Sequence, residues 1–281
     1  MPGRAPRVTK TEAIVLRYRR LGEADRIVTL LTPHRGKVDV VAKGVLRSRS
    51  RLAGHLEPLT LLEMVLAHGR SMDVVTQAQA VESFGPIHND LDRLSAAMYF
   101  LELADRLTVE HAEAEAVYRL LHVALTRLAR GDGQQVVSRT FELGLLEATG
   151  FRPELTVCLG CGQPVSAERA SWSAVEGGVY CAACAAKRDD VFVIDPTVLR
   201  VLRAYQSQPY EEAGRIRLSD DLAARLEGVM HSVMHAVAER ELRSARFVSA
   251  ARRARVQAEA YEAEQGGEPN EADEVGAPAE V

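Results

Sequence analysis

Two hydrophobic periods divide the chain. Up to residue 84, apolar residues fall in short, often β-branched runs. These are "EAIVLRYR" (12–19), "RIVTLLT" (26–32), "KVDVVAKG" (37–44), "LTLLEMVLA" (59–67) and "DVVTQAQAVESF" (73–84). Turn residues separate most of them, such as Pro33 with Gly36, and Gly69 with Ser71. Five strands in about 75 residues, with no convincing helix, predict a small closed or half-closed barrel. The pattern by itself does not separate an OB-fold from an SH3-like barrel.

From residue 89 the period changes to three and four. Leu91, Leu94, Met98, Leu101, Ala104 and Leu107 mark one face of an amphipathic helix, with Asn89 or Asp90 as its N-cap. A second helix, "AEAVYRLLHVALTRLAR", stops at Gly131. A third, "QQVVSRTFELGLLEAT", ends at Gly150. Asp195-Pro196 opens another. The longest begins near Ser219, with Leu222, Leu226, Val229, Val233 and Val237 as its apolar stripe. The expected domains are a barrel over 1–83, a helical bundle over 84–157 and 185–255, a cysteine module inserted at 158–184, and a tail over 256–281.

Charge sharpens this division. Residues 1–80 carry 14 Lys/Arg against 7 Asp/Glu, whereas residues 256–281 carry 8 Asp/Glu and no Lys/Arg. A basic first domain points to an anionic partner, nucleic acid before membrane surface. The acidic tail has little to bury and reads as disordered. Apolar runs are too short for a membrane span, and the N-terminal stretch lacks the apolar core of a secretory signal. A cytoplasmic protein is expected, where disulfides are rare.

All four cysteines lie in Cys158-x2-Cys161-x19-Cys181-x2-Cys184. Two such pairs supply four sulfurs in a tetrahedron, which suits Zn²⁺. Four thiolates fill the coordination shell and leave no position for an activated water, so the predicted zinc is structural. The intervening stretch has one Arg and two Glu, poor material for phosphate contacts. Trp172 within it reads as a packing residue.

The richer nucleic-acid candidate is "HRGKVDVVAKGVLRSRSRLAGHL" (34–56). It holds Arg35, Lys37, Lys43, Arg47, Arg49 and Arg51 against a single acid, Asp39. "VLRSRSR" reads as a flexible loop whose guanidinium groups follow phosphates without reading sequence, or else as a merely solvated charge run. Tyr18 is the nearest aromatic, equally suited to stacking and to packing. His231 and His235 are four apart but lie opposite their helix's apolar stripe, with no third ligand in view. No phosphate-loop glycine pattern, carboxylate cluster or Ser/His/Asp grouping argues for catalysis.

Three segments carry a family resemblance. "GEADRIVTLLT", "GKVDVVAKG" and the Arg/Ser loop ending in "LAGHLEPL" form the first. "RTFELGLLEATGFRPELTVCLGCG" (139–162) and "ELRSARFV" (241–248) are the others, the last departing in detail at Arg243 and Ala245. Over roughly residues 8–250 the chain resembles the RecO family of bacterial DNA-repair proteins. The resemblance implies an α+β multidomain protein: an OB-fold β-barrel, then a helical bundle with an inserted four-cysteine zinc ribbon. It implies a recombination mediator rather than an enzyme, cytoplasmic and nucleoid-associated. Such a protein binds single- and double-stranded DNA and anneals complementary strands. With its partner RecR it helps RecA replace single-strand-binding protein on gapped DNA. The family also binds the C-terminal tail of single-strand-binding protein, and Arg139 matches the position of a cation for that tail's carboxylate. Arg139 can instead pair with Glu142 or Glu147 along its helix.

Protein purified without added metal is expected to carry about one equivalent of zinc; less than roughly half an equivalent would count against the ribbon.

Overall fold

A computed structural model describes residues 8–48 and 50–239. Residues 1–7, Arg49, the segment 241–248 and the acidic tail lie outside the described residues. The first five strands are β1 (Val8–Leu21), β2 (Asp25–Thr32), β3 (Gly36–Ala42), β4 (Leu61–Ala67) and β5 (Asp73–Glu82). They close into a barrel in the order β1-β2-β3-β5-β4. All neighbours are antiparallel except β3 and β5, which pair in parallel at Val40–Asp73 and Val41–Val74. This OB-type topology resolves the choice that the strand pattern left open.

β1 explains the closure. Its first half pairs with β4 and its second half with β2, and the register shifts between Val15 and Arg17. The long strand thereby bends from one neighbour to the other. Ala13, Ile14, Val15 and Leu16 are all buried, although a strand alternates its faces. Ala13 and Val15 fill the barrel with Val28, Leu30, Val38, Val40 and Met64. Ile14 and Leu16, with Leu31, face outward into a second core built by the helices.

That core is supplied by α1 (Gly85–His88), α2 (Leu91–Leu107), α3 (Glu115–Arg130) and α4 (Gln134–Ala148). Asp90 caps α2 by accepting from the N–H groups of Asp92 and Arg93. Gly131, at φ 91°, terminates α3. The expected face of α2 needs correction. Leu91 and Met98 are 77% and 44% exposed, while Ala96, Ala97, Phe100, Leu103 and Ala104 are buried with Leu101 and Leu107. α2 is covered from two sides, by β1 and by α3 with α4, so its buried face is wider than one stripe and turned from the sequence estimate. Phe100 stacks on Phe141 of α4 with ring centroids 4.4 Å apart.

The cysteine module follows, with β6 (Ala170–Ser173), β7 (Gly178–Cys181), α5 (Ala182–Ala185) and β8 (Phe192–Val193). These strands form a sheet in the order β7-β6-β8. Then come α6 (Pro196–Ser207), α7 (Tyr210–Ala213) and α8, helical over 220–239. Asp195 caps α6, accepting from Thr197 and Val198. Leu226, Val229, Val233 and Val237 of the expected α8 stripe are buried, joined by Met230 and Met234. Among the described residues no helix is long and apolar enough to cross a membrane.

Polar contacts lock the barrel onto the helices. Asp105 of α2 pairs with Arg17 at 2.6 Å and with Lys37 at 3.4 Å. The Tyr118 hydroxyl donates to Glu12 (3.1 Å), and the His111 N–H donates to the Lys37 carbonyl (3.0 Å). Gly36 sits at φ 59°, and a Cβ there would lie 1.7 Å from the Ala112 carbonyl oxygen. The β2–β3 turn is therefore pressed onto the α2–α3 connection, and only glycine fits. Gly36→Ala is expected to cost roughly 2–4 kcal/mol, from left-handed strain plus the clash. In thermal unfolding this corresponds to a midpoint lower by about 5–15 °C. An unchanged midpoint would show that the turn is not pinned.

Candidate metal centre and nucleic-acid interface

The cysteine ligands converge from two turns. In the first, the Cys158 N–H donates to the Gln163 carbonyl and the Gly162 N–H to the Cys158 carbonyl, both at 2.8 Å. Gly162 takes φ 71° to make the turn. In the second, Cys181 precedes the single turn of α5, which carries Cys184. A Cβ on Gly160 would lie 3.1 Å from Cys184 Sγ, so the turns meet where a side chain is missing. All four sulfurs lie within 4.8 Å of one another, and Cys161 and Cys181 are 3.9 Å apart. A tetrahedral Zn–S₄ centre requires sulfurs about 3.8 Å apart.

The electrostatics ask for a cation. Burial raises the Cys158 thiol, but the N–H groups of Cys181, Cys161 and Gly160 bring it down to about 6. Cys184, crowded by the other three sulfurs, is pushed up to about 12. Four thiols this close ionise together only around a positive charge. The donors are all soft sulfur and the shell is closed, which fits a structural metal ion. The module is braced against the helical part. Arg203 of α6 donates to the carbonyls of Leu155 and Val165, both at 2.7 Å. Trp172 is 1% exposed in the shared core, so it packs as expected.

The basic stretch is divided by β3. Arg35 pairs with Asp73 at 2.7 Å. Asp73 also meets His68, whose other ring nitrogen lies 3.0 Å from Thr9 Oγ1, so this network ties strand ends together. Burial raises the Asp73 carboxyl, but Arg35 and His68 together hold it below its ordinary value. Lys37 is nearly buried against Asp105. Both cations are engaged inside the molecule, at the end of the barrel that docks on the helices.

Lys43 follows the other end of β3, about 20 Å from Lys37 at the rise of a strand, and Arg47 and Arg51 lie in the loop after it. All three are exposed, and among the described residues no carboxylate pairs with them. Their loop is less free than the Ser/Arg pattern suggests. Gly44 N–H donates to Asp25 (2.7 Å) and Leu46 N–H to the Ala24 carbonyl (2.9 Å). Val45 and Leu56 are buried in the barrel core. The loop plugs the barrel mouth with its apolar residues and turns its cations outward. Arg49, the remaining member of the stretch, lies outside the described residues.

On the neighbouring β1–β2 hairpin, Tyr18 is the one aromatic candidate that the sequence offers, and the residues around it do not stand out there. Alternation along "RYRR" places Arg17 and Arg19 on one face and Tyr18 and Arg20 on the other. Arg17 and Arg19 are paired, with Asp105 and Asp39. Tyr18, Arg20, Glu23, Arg26 and Leu46 line a cleft of about 380 Å³. The period-2 pattern of β1 was the available signal.

Arg139 is not at the surface. It is 4% exposed, and its Nη2 donates to Glu142 at 3.0 Å, the alternative that helix spacing allowed. The Tyr99 hydroxyl donates to the same carboxylate oxygen at 3.0 Å. Nε and Nη1 of Arg139 have no hydrogen-bond partner among the described residues. Burial pushes the Glu142 carboxyl up to about 7, against the pull of Arg139. His231 and His235 are exposed with ring centroids 6.2 Å apart, and no further metal-ligating residue joins them among the described residues.

Two family models match the chain: recombination protein O N terminal over residues 7–84, and recombination protein O C terminal over residues 88–246. A protein named DNA repair protein RecO from Roseiflexus sp. (strain RS-1) is 38% identical over 242 residues, 86% of this chain and 85% of the relative. One of the same name from Heliobacterium modesticaldum is 35% identical, covering 92% and 96%. Another, from Bifidobacterium adolescentis, is 44% identical over 61% of this chain and 72% of its own.

The buried carboxyl gives a pH signature. Folded Glu142 keeps its proton to about pH 7, whereas an unfolded glutamate releases it near 4.5. Between these values the folded state binds more protons, so this group's contribution to stability falls as pH rises from 4.5 to about 7. Melting temperatures across that range should decline more steeply for the wild type than for Glu142→Gln. Parallel profiles would remove Glu142 as the source.

Proposed function

Because the chain belongs to the recombination protein O family, we propose that it is a DNA-binding recombination mediator without catalytic turnover. The observation that carries this reading is the outward-facing set of Lys43, Arg47 and Arg51 at the free end of the barrel. The names of the relatives, DNA repair protein RecO, support it. Two complementary strands repel each other. A basic surface that contacts both neutralises their phosphates and raises their local concentration, while base edges stay free to pair. Contact through guanidinium groups on a loop is indifferent to sequence, which annealing requires.

In this reading RecR joins the protein on gapped DNA covered by single-strand-binding protein, and the complex helps RecA to load. The C-terminal tail of single-strand-binding protein docks on the helical part. Arg139 meets that tail's carboxylate only if the packing around α4 opens, since it is buried against Glu142. The cysteine centre holds Zn²⁺ through Cys158, Cys161, Cys181 and Cys184, and the ion fixes the fold of the ribbon. The DNA work is assigned to the barrel, with Lys43, Arg47 and Arg51 as its contact surface, and Arg49 is assigned with them from its place in the sequence. Lys37 helps to hold the barrel on the helices through Asp105, Arg35 ties strand ends within the barrel through Asp73, and both contribute to the interface only indirectly.

The triple substitution Lys43→Ala, Arg47→Ala and Arg51→Ala is expected to weaken single-strand binding and slow annealing of complementary oligonucleotides. The slope of log affinity against log salt should shrink by about 0.7 for each phosphate no longer neutralised. Unchanged affinity and slope would remove these residues from the interface. Failure of the wild type to anneal at micromolar protein would favour a zinc-ribbon protein–protein adaptor with an incidental basic loop.

A further inference from the structure

The cleft on the β1–β2 hairpin differs in kind from the cationic loop beside it. Its wall is the ring of Tyr18, with the Arg26 guanidinium 3.8 Å from the ring centroid. Arg26 is not free to wander, because Glu57 holds it at 2.8 Å from the far side of the loop. The ring is thus backed by a fixed planar cation, yet Tyr18 remains 39% exposed. Leu46 adds an apolar side, and Arg20 and Glu23 complete the lining. A volume of about 380 Å³ is in the range of small-ligand clefts.

The chemistry of the lining selects its occupant. A phosphate entering the cleft would find Arg26 already paired with Glu57 and would meet the Glu23 carboxylate beside the one remaining cation, Arg20, which donates to the Glu23 carbonyl. A flat, uncharged π-system would stack on the face of the Tyr18 ring that Arg26 does not cover, with the guanidinium backing the other face. The phosphates have a separate place nearby. Ala42 pairs with Arg26 in the β2–β3 register, so Lys43 follows directly, and Arg47 adjoins Leu46 in the chain. Building on the DNA-binding reading above, we propose that this cleft is a base-stacking site. It takes one unpaired nucleobase of a single strand against Tyr18, while Lys43 and Arg47 hold the flanking phosphates. Stacking uses the face of the base and leaves its pairing edge exposed, so a held strand can still meet its complement. A duplex, whose bases are already stacked inside, has nothing to offer the cleft.

Fluorescence anisotropy with two labelled strands of equal length tests this, one an oligothymidylate and the other built of abasic sites. Tyr18→Leu is expected to weaken oligothymidylate binding at least about fivefold, the lower end for loss of one base–aromatic stack. It should bind the abasic strand as the wild type does, with the same salt slope. Tyr18→Phe, which keeps the ring, should restore the affinity for oligothymidylate. Equal binding of oligothymidylate by Tyr18→Leu and the wild type would overturn the stacking site and leave the cationic surface standing. Equal losses on both strands would also overturn it, since the ring would then act through the fold or the charge. A wild type that binds neither strand would take down the DNA-binding reading itself.

Discussion

Strands β1 and β2 of the barrel bury residues on both of their faces. Ala13 and Val15 point into the barrel, while Ile14, Leu16 and Leu31 point out of it and are also withdrawn from water. Burying a large aliphatic side chain is worth about 1.5–3 kcal/mol, so these outward residues alone would make an isolated barrel poorly soluble and poorly stable. They are covered by Phe84, which precedes α1, and by Phe100 and Leu101 of α2, within one continuous core. Residues 8–238 accordingly belong to a single compact unit, although barrel and helices have different periods in the sequence.

That covering decides which charges are available. Docking seats the β2–β3 turn on the α2–α3 connection, with Gly36 against Ala112. Arg17 and Lys37 then share Asp105, and Arg35 takes Asp73. A pair in a part-buried site is worth more than a solvated one, so these cations are held in place. At the opposite end of β3 the cations have no carboxylate partner among the described residues. There the loop after β3 turns Lys43, Arg47 and Arg51 to solvent, beside the Tyr18 cleft. One run of basic residues is thus divided by a strand into a paired part and a solvent-facing part.

The same packing withdraws Arg139. α4 is buried nearly all round, including the polar residues Ser138, Arg139 and Glu142. A guanidinium and a carboxylate enclosed together lose much of their hydration, and their mutual contact offsets only part of that loss. Glu142 therefore holds its proton more tightly than a surface glutamate. The cysteine cluster lies apart from both features, linked to the helical core through Trp172 and Arg203. Its closed set of four sulfurs suits it to bracing.

The sequence by itself determined a good deal. Strand alternation, the Asp90 and Asp195 caps and Gly131 place most elements within a few residues, because these are local preferences of the backbone. The cysteine spacing determined the convergence of four sulfurs, because two short turns can present thiols only in a few ways. Tertiary structure decided the rest. The face of α2 turned toward Phe100 because two layers cover it, and no single-helix period contains that information. The division of Arg35 and Lys37 from Lys43, Arg47 and Arg51 depended on which end of the barrel meets the helices. Tyr18 became a cleft wall only when Arg26, from the next strand, and Glu57, from a distant loop, were brought beside it. Each of these outcomes rests on contacts between residues far apart in the chain, and the local pattern of either partner does not contain them.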